Sequence, residues 1–312
     1  MPKLDNGNLK SMFGYNVDKF NDSVGFDDAT HTYFDLKDGT KYISVTQLLG
    51  EYKQPFDSNF WSSYKAAEAV FDPTNWSALK PVLLQTKIWN DKFLTTYKID
   101  KETFFQKKQE ILDSYDAKRN ASCEIGTAIH LEKETELYVP EPNVKKYGLG
   151  GKFTCEKGYY QLDLPKAVYP EFLISHDFGG GVRICGQLDL LIKDGVDIYI
   201  YDHKTNDSID KQSYFDRKTK SYQMMKYPLN NVMDSNFWHY SLQLSLYFYL
   251  LKQKHPEFVL KRLALNHIDK TTRKETLIEC EYLEEDVKRV IKHYQSKIQQ
   301  ADVINRDKPI IF

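Results

Sequence analysis

Gly186-Gln187-Leu188-Asp189, an apolar run, the pair Asp194-Gly195, and then Tyr201-Asp202-His203-Lys204-Thr205 form the stretch that decides how this chain is read. Residues 188–193 and 198–203 are rich in Ile, Leu and Tyr, which predicts two strands. Asp194-Gly195 between them is a strong turn signal. If residues 194–197 form a four-residue loop, Lys193 faces Ile198, and counting outward sets Asp189 opposite Asp202. Directly opposed residues have Cβ atoms about 4.5–5.5 Å apart, and like charges so placed are destabilising. A divalent cation between the two aspartates reverses the sign of that cost. Side chains alternate along a strand, so Asp202 and Lys204 share a face while His203 points away. The expected site therefore presents Asp189, Asp202 and Lys204 together at one sheet edge. Hard oxygen ligands suit magnesium or manganese. A cation there polarises a phosphate and activates water, while Lys204 orients or deprotonates that water or stabilises charge on the phosphate. A lone Asp-x-Lys is usually a solvated strand end; it is Asp189 at matching register that lifts this one.

Three further pieces bear on the same site. Gly126-Thr127-Ala128-Ile129-His130 continues to Glu134, and residues 121–138 are expected to be helical, with His130 and Glu134 one turn apart on one face. Gly126 costs a helix about 1 kcal/mol against Ala, which points to close approach of another backbone or a substrate. The plainer alternative is a surface His–Glu pair. Tyr169-Pro170-Glu171-Phe172-Leu173-Ile174 reads as a short strand whose acid is either a third carboxylate or an edge charge that discourages strand pairing. Gln243 and Tyr247 lie four apart on a predicted helix, residues 236–254, that is apolar almost all round and so should be buried. A buried glutamine needs partners, in the site or simply in the backbone.

Taken in order, these pieces resemble the RecB-type branch of the PD-(D/E)xK nuclease superfamily. That branch carries a Gly-Thr-x-x-His helix, a glutamate strand, a Gly-x-x-Asp strand, an (Asp/Glu)-x-Lys strand and a Gln-x-x-x-Tyr helix. Here they fall at Gly126 to His130, Glu171, Gly186 to Asp189, Asp202 to Lys204, and Gln243 to Tyr247. The resemblance implies that His130, Asp189 and Asp202 ligate magnesium or manganese, and that Lys204 is catalytic with the carboxylates Asp189, Asp202 and Glu171. It also implies that Gln243 and Tyr247 position the site or the DNA strand. In size, and in Tyr42-Ile43-Ser44-Val45-Thr46 leading into a helix, the chain is similar to single-domain exonucleases of phage type, so a viral origin is an expectation. Some relatives hold an iron–sulfur cluster on four cysteines. Here Cys123, Cys155, Cys185 and Cys280 are scattered without C-x-x-C spacing, and no cluster is expected. The implied activity is a metal-dependent DNA exonuclease of replication, recombination or processing, working beside a protein partner of those pathways. The alternatives are a structure-specific endonuclease on the same fold, a catalytically silent nuclease-like DNA-binding protein, and an unrelated α/β protein with fortuitous motifs.

Composition is that of an ordinary globular protein, with 41% apolar and 28% charged residues over 312 positions. A formal net charge of −1 means that bulk charge does not by itself imply a nucleic-acid partner, so cations must be concentrated locally. Residues 211–226 fit that need. Lys211, Arg217, Lys218, Lys220 and Lys226 alternate with Tyr214, Phe215 and Tyr222, suited to neutralising phosphates and stacking bases, or merely to a solvated loop. Unclustered cysteines, a polar start and no apolar run long enough for a bilayer predict a soluble protein of the cytoplasm or another intracellular compartment.

Three segments are expected: a polar stretch at 1–30, a hairpin and helical lobe at 31–120, and a nuclease core at 121–312. The hairpin is placed at residues 31–36 and 41–45, followed by a helix near Gln47 capped by Ser44 or Thr46. Helical breaks are expected at Asp72-Pro73-Thr74 and Lys80-Pro81. Strands at 258–267 and 275–282 and a last helix at 284–301 complete an α/β fold: a mixed central sheet flanked by helices, with the N-terminal helical lobe walling a DNA channel.

Overall fold

A computed structural model describes residues 12–21, 23–156, 162–217 and 219–306. It divides into two compact units, one of residues 1–54 and 129–312, the other of residues 55–128. The described residues before Pro55 group with the large sheet. β1 (Lys19–Phe20), β2 (Val24–Asp27) and β3 (Thr32–Asp35) form an antiparallel sheet, the first two strands inside the stretch read as polar. The expected hairpin does not form as counted. β3 pairs with β2, and a single Phe34–Lys41 bridge links it onward, while β4 (Ile43–Ser44) joins the large sheet. Val24, Phe26, Tyr33 and Tyr42 bury against Leu173 and Cys185, partners too remote in sequence for turn counting to reveal. α1 (Val45–Gly50) starts as expected, with Ser44 and Gln47 forming a reciprocal capping box.

The second unit holds α2 (Ser58–Val70), α3 (Pro73–Thr86) and α4 (Lys92–Thr96), and α5 (Lys101–Leu137) begins in it. Asp72 caps α3 with Pro73 in its first turn, so the break expected there is real. The break expected at Lys80-Pro81 is not, because α3 runs through Pro81. An interior proline costs about 3 kcal/mol. Leu79 and Leu83 on either side of it are fully buried, each worth about 1.5–3 kcal/mol, and together they outweigh that cost.

The large sheet continues with β5 (Thr154–Cys155), β6 (Lys166–Asp177), β7 (Arg183–Asp194) and β8 (Asp197–Lys204). A small separate hairpin, β9 (Phe215–Asp216) with β10 (Ser221–Tyr222), precedes α6 (Asn236–Lys254); β11 (Val259–Ile268), β12 (Glu275–Glu279) and α7 (Glu284–Arg306) follow. The strand order is β12-β11-β8-β7-β6-β5 with β4 beside β7. β8–β11, β4–β7 and β5–β6 are parallel and the other pairs antiparallel. α1, α6 and α7 cover one face, while Leu137 of α5 and Val144, Tyr147 and Phe153 cover the other. The expected mixed sheet flanked by helices is what forms. β6 is twelve residues long, not a short strand. Lys193 does face Ile198, but Asp194 also pairs with Asp197, leaving a two-residue turn at Gly195-Val196 with Gly195 at φ +65°.

Alternation breaks beside the acids of β6 and β7. On β6, Ala167 and Tyr169 face the α6 side, and beyond Glu171 so do Phe172 and Ile174, a change of parity. On β7, Leu188 and Leu191 share that side, again with opposite parity. The β6–β7 ladder runs Pro170 to Leu190 and Phe172 to Leu188 but skips the pair between them, Glu171 and Asp189. Glu171 carries a left-handed backbone, φ +53°, in mid-strand. Such a conformation costs a non-glycine residue about 1–3 kcal/mol and concentrates where a side chain must be aimed.

Candidate active site

The site lies where β8 separates from β7. Their ladder runs from the turn to Leu190–Tyr201 and stops. Beyond it β8 keeps only β11, pairing Asp202, His203 and Lys204 with Leu265, Asn266 and His267. The Asp189 carboxylate spans the split, accepting the His203 backbone N–H at 2.6 Å. Asp189 and Asp202 thus flank the end of the ladder.

Three ligand atoms converge there. One atom each from His130, Glu171 and Asp189 lie within 4.8 Å of one another. His130, from the last turns of α5, donates its Nε2–H to the His203 carbonyl at 3.1 Å, since a carbonyl can only accept. Its Nδ1 faces Asp189 Oδ2 at 3.4 Å. Glu171 adds a second carboxylate. Burial, reinforced by the charge of Asp189, pushes the Glu171 carboxyl up to about 8, against the opposing pull of Lys19 and Gln187. Lys19 on β1 lies 3.7 Å from Glu171 Oε2, and the Gln187 side chain donates to the same oxygen. Burial also works to raise Asp189, but His130, Lys204 and His203 outweigh it and hold that carboxyl below the ordinary range. Two carboxylates and an imidazole, one acid held protonated for want of positive charge, fit a divalent cation.

Asp202 is held differently. It is fully buried on the α6 side of β8, its Oδ2 against the Lys204 ammonium and its Oδ1 accepting from Gln243 Nε2 at 3.1 Å. Burial, with Asp189 adding, pushes its carboxyl up to about 6 although Lys204 opposes. Burial works to lower Lys204, but Asp202 and Asp189 prevail and raise it. The Lys204 ammonium also sits 4.7 Å from the centre of the Tyr240 ring, whose hydroxyl donates to Asn206 Oδ1 at 2.7 Å. Asp202 Oδ1 is thus hydrogen-bonded, while the buried Oδ2 has the Lys204 ammonium against it and no hydrogen-bond partner among the described residues. The structure places Glu171, rather than Asp202, in the convergent trio with His130 and Asp189. Lys204 shares a face with Asp202, as alternation requires. His203 points to the opposite face, accepting from Asn266 Nδ2 at 3.3 Å, and burial drives its imidazole down to about 4, so it is neutral.

Gln243 and Tyr247 are buried on α6, and Gln243 also donates to the Tyr247 hydroxyl at 3.2 Å. Both reach inward, onto Asp202 and its surroundings. The Tyr247 ring lies over Gly186, where an added Cβ would meet Tyr247 Cε1 at 2.5 Å. Gly186→Ala should therefore displace that ring and the Gln243 bond that orients Asp202. We expect a loss of about 1–3 kcal/mol in urea unfolding, and full stability would show that the ring can move aside. Glu134 bonds Tyr138 and stays out of the trio.

The basic segment contacts none of these carboxylates through Lys211, Arg217 or Lys220. Lys211 lies 4.5 Å from the centre of the Phe237 ring, Arg217 is exposed in the β9–β10 turn, and Lys220 is exposed at φ +53°. Lys218 lies outside the described residues. Sequence reading missed Lys19, Gln187 and Tyr240. Only Gln187 carried a local signal, since it lies inside the Gly-x-x-Asp motif.

No helix among the described residues is long and apolar enough to cross a membrane. No curated protein matches the chain. Among solved structures, SSO0001 is similar at 14% identity over 83% of this chain and 76% of that one, with a TM-score of 0.31. A candidate exonuclease from Eubacterium rectale is similar at 12% identity over 87% of this chain and 90% of that one, also with a TM-score of 0.31. Likenesses that distant carry no assignment. The family model does: the PD-(D/E)XK nuclease superfamily matches residues 152–308, half of the chain and all of the sheet from β6 to β12. By that match, the chain belongs to the PD-(D/E)XK nuclease superfamily.

Proposed function

We propose that the chain is a divalent-metal-dependent deoxyribonuclease that digests DNA from an end, in replication, recombination or processing. The observation that carries the metal-dependent reading is the convergence of His130, Glu171 and Asp189 beside the Asp202–Lys204 pair. Those three residues would hold magnesium or manganese. A bound cation of that kind supplies Lewis acidity toward a phosphoryl oxygen and acidifies a water. The Lys204 ammonium, desolvated and backed by Asp202, is placed to stabilise charge developing on the phosphate or to orient the attacking water. Gln243 and Tyr247 are positioning residues that fix the Asp202 carboxylate. Lys211, Arg217, Lys218 and Lys220 are assigned to the incoming strand, a role their exposed and basic character suits. Action from an end is supported by the resemblance of the five ordered motifs to RecB-type exonucleases.

The test is digestion of end-labelled linear single-stranded DNA and of a closed circle, in manganese, magnesium or EDTA. Metal-dependent loss of the linear strand with the circle spared is the expected result. Cutting of the circle would make the enzyme an endonuclease on this fold. Binding without any cutting would make it a silent member.

A further inference from the structure

Lys204 is half-buried, and a lysine carries its charge on a long, flexible stem. Asp202, two residues earlier on the same strand, draws the ammonium toward itself. One contact from the lysine's own strand leaves that stem able to pivot. A second contact comes from another element. Tyr240 on α6, three residues before Gln243, sets its ring against the ammonium, with Nζ 4.7 Å from the ring centre. A cation within about 6 Å of a ring centre is attracted to the negative face of the π system.

The ring is itself held in place. Its hydroxyl donates to Asn206 Oδ1 at 2.7 Å, and the Asn206 carbonyl accepts from His267 Nε2 at 2.7 Å. His267 is the residue that β11 pairs with Lys204. Further along, Asn236 at the start of α6 donates to the Ser208 carbonyl at 2.8 Å and accepts the Asp210 N–H at 2.7 Å. The segment leaving Lys204 is therefore laced to the first turns of α6, and the protein fixes the ring before any substrate arrives. Tyr240 also packs against the main core, a purely structural role that the experiment below must separate. The choice of a ring has a chemical consequence. A second carboxylate would hold the lysine too, but it would neutralise the charge and repel a phosphate. A neutral ring holds the ammonium and leaves its charge for the substrate.

We propose that Tyr240 is a positioning residue of the hydrolytic site. With Asp202 it holds the Lys204 ammonium from two separate elements, so that the lysine meets the phosphate or the attacking water already oriented. This rests on the nuclease reading.

The experiment uses the full chain with linear single-stranded DNA in manganese. Tyr240→Leu should lower kcat about ten- to thirtyfold, the upper range for a desolvated cation–π contact, with KM little changed. Tyr240→Phe keeps the ring and should stay within about threefold of wild type. In single-turnover cleavage, Tyr240→Leu should cost little more once Lys204→Ala is already present, because the ring acts through the lysine. A structural role would cost the same in both backgrounds. A second readout needs no activity. In metal-free protein the Lys204 ε-methylene signal, identified by its loss in Lys204→Ala, should be shifted upfield by the ring current. Tyr240→Phe should keep that shift and Tyr240→Leu should abolish it. Tyr240→Met, long and ringless, serves in the same comparisons should the leucine variant unfold. A wild-type rate in Tyr240→Leu, an equal loss in both backgrounds, or an unshifted Lys204 signal would each overturn the role of Tyr240 and leave the nuclease reading standing. Wild-type protein that cuts no DNA would overturn the nuclease reading, and this role with it.

Discussion

Replacing Lys204 with alanine is expected to lower DNA cleavage about a thousandfold, the usual cost of removing a group that stabilises transition-state charge or moves a proton. Its side chain is half-buried, with the ammonium pressed against Asp202 and close to the Tyr240 ring. The same change has a second, pH-dependent effect. Asp202 titrates at about 6, above the ordinary carboxylate value of 3.8, with Lys204 already pulling it down. A carboxyl raised in the folded state contributes stability that is fully present below its unfolded pKa and is lost as pH rises through the folded one. In Lys204→Ala that loss should extend to pH above 6, because the buried carboxylate has lost its partner. Denaturation at pH 5 and pH 8 should show a larger deficit at pH 8. Lys204→Arg separates the two roles, because arginine keeps the charge but does not deprotonate. Partial activity in Lys204→Arg points to charge stabilisation, and its absence to proton transfer. Cleavage at the wild-type rate by Lys204→Ala would remove this lysine from the chemistry.

Glu171→Gln is expected to abolish cleavage and yet to stabilise the metal-free protein. Glu171 moves from 4.5 to about 8, chiefly through burial and then through Asp189. By the same sign rule, metal-free protein should lose stability between about pH 4.5 and pH 8, by an amount of the order of a few kcal/mol. The amide removes that loss, since it has no charge to desolvate, and its Tm at pH 8 in EDTA should exceed that of wild type. A divalent cation reverses the comparison. Binding requires the ionised carboxylate, so it displaces a proton and tightens as pH rises toward 8. Manganese should therefore raise the wild-type Tm strongly at pH 8, weakly at pH 5, and barely at all in Glu171→Gln. Melting both proteins in manganese and in EDTA across that range gives the answer. A full manganese-induced rise in Glu171→Gln would exclude Glu171 as a ligand.

Much of this site was legible from residue order, and for local reasons. Alternation with period two put Asp202 and Lys204 on one face and His203 on the other. The turn signal at Asp194-Gly195 paired Lys193 with Ile198, and the observed ladder agrees although the turn is two residues shorter. The apolar helix at residues 236–254 was bounded to the residue, and Ser44 was among the caps proposed for the helix it begins. Each of these depends on neighbours within one or two turns or strand repeats.

What the tertiary structure decided depends on partners far apart in the chain. Alternation predicts that Glu171 and Asp189 continue their strands regularly. Instead, both strands change facing at that pair, and Glu171 adopts a left-handed backbone that sequence periodicity gives no reason to expect in mid-strand. Asp202 has its Oδ1 held by Gln243 on a helix 41 residues away and its Oδ2 against Lys204 two residues away. Lys19 reaches Glu171 from a strand inside the stretch that composition marked only as polar. Pro81 sits within a helix because the burial of Leu79 and Leu83 exceeds its cost. The sequence by itself determined the two strands that meet at Gly195, the helix at residues 236–254 and the acids and lysine they carry, because those follow from short-range periodicity and turn chemistry. Only the tertiary structure decided that Glu171 converges with His130 and Asp189 and that Asp202 lies against the lysine, because that arrangement is made among groups that meet only when the sheet and α6 pack together.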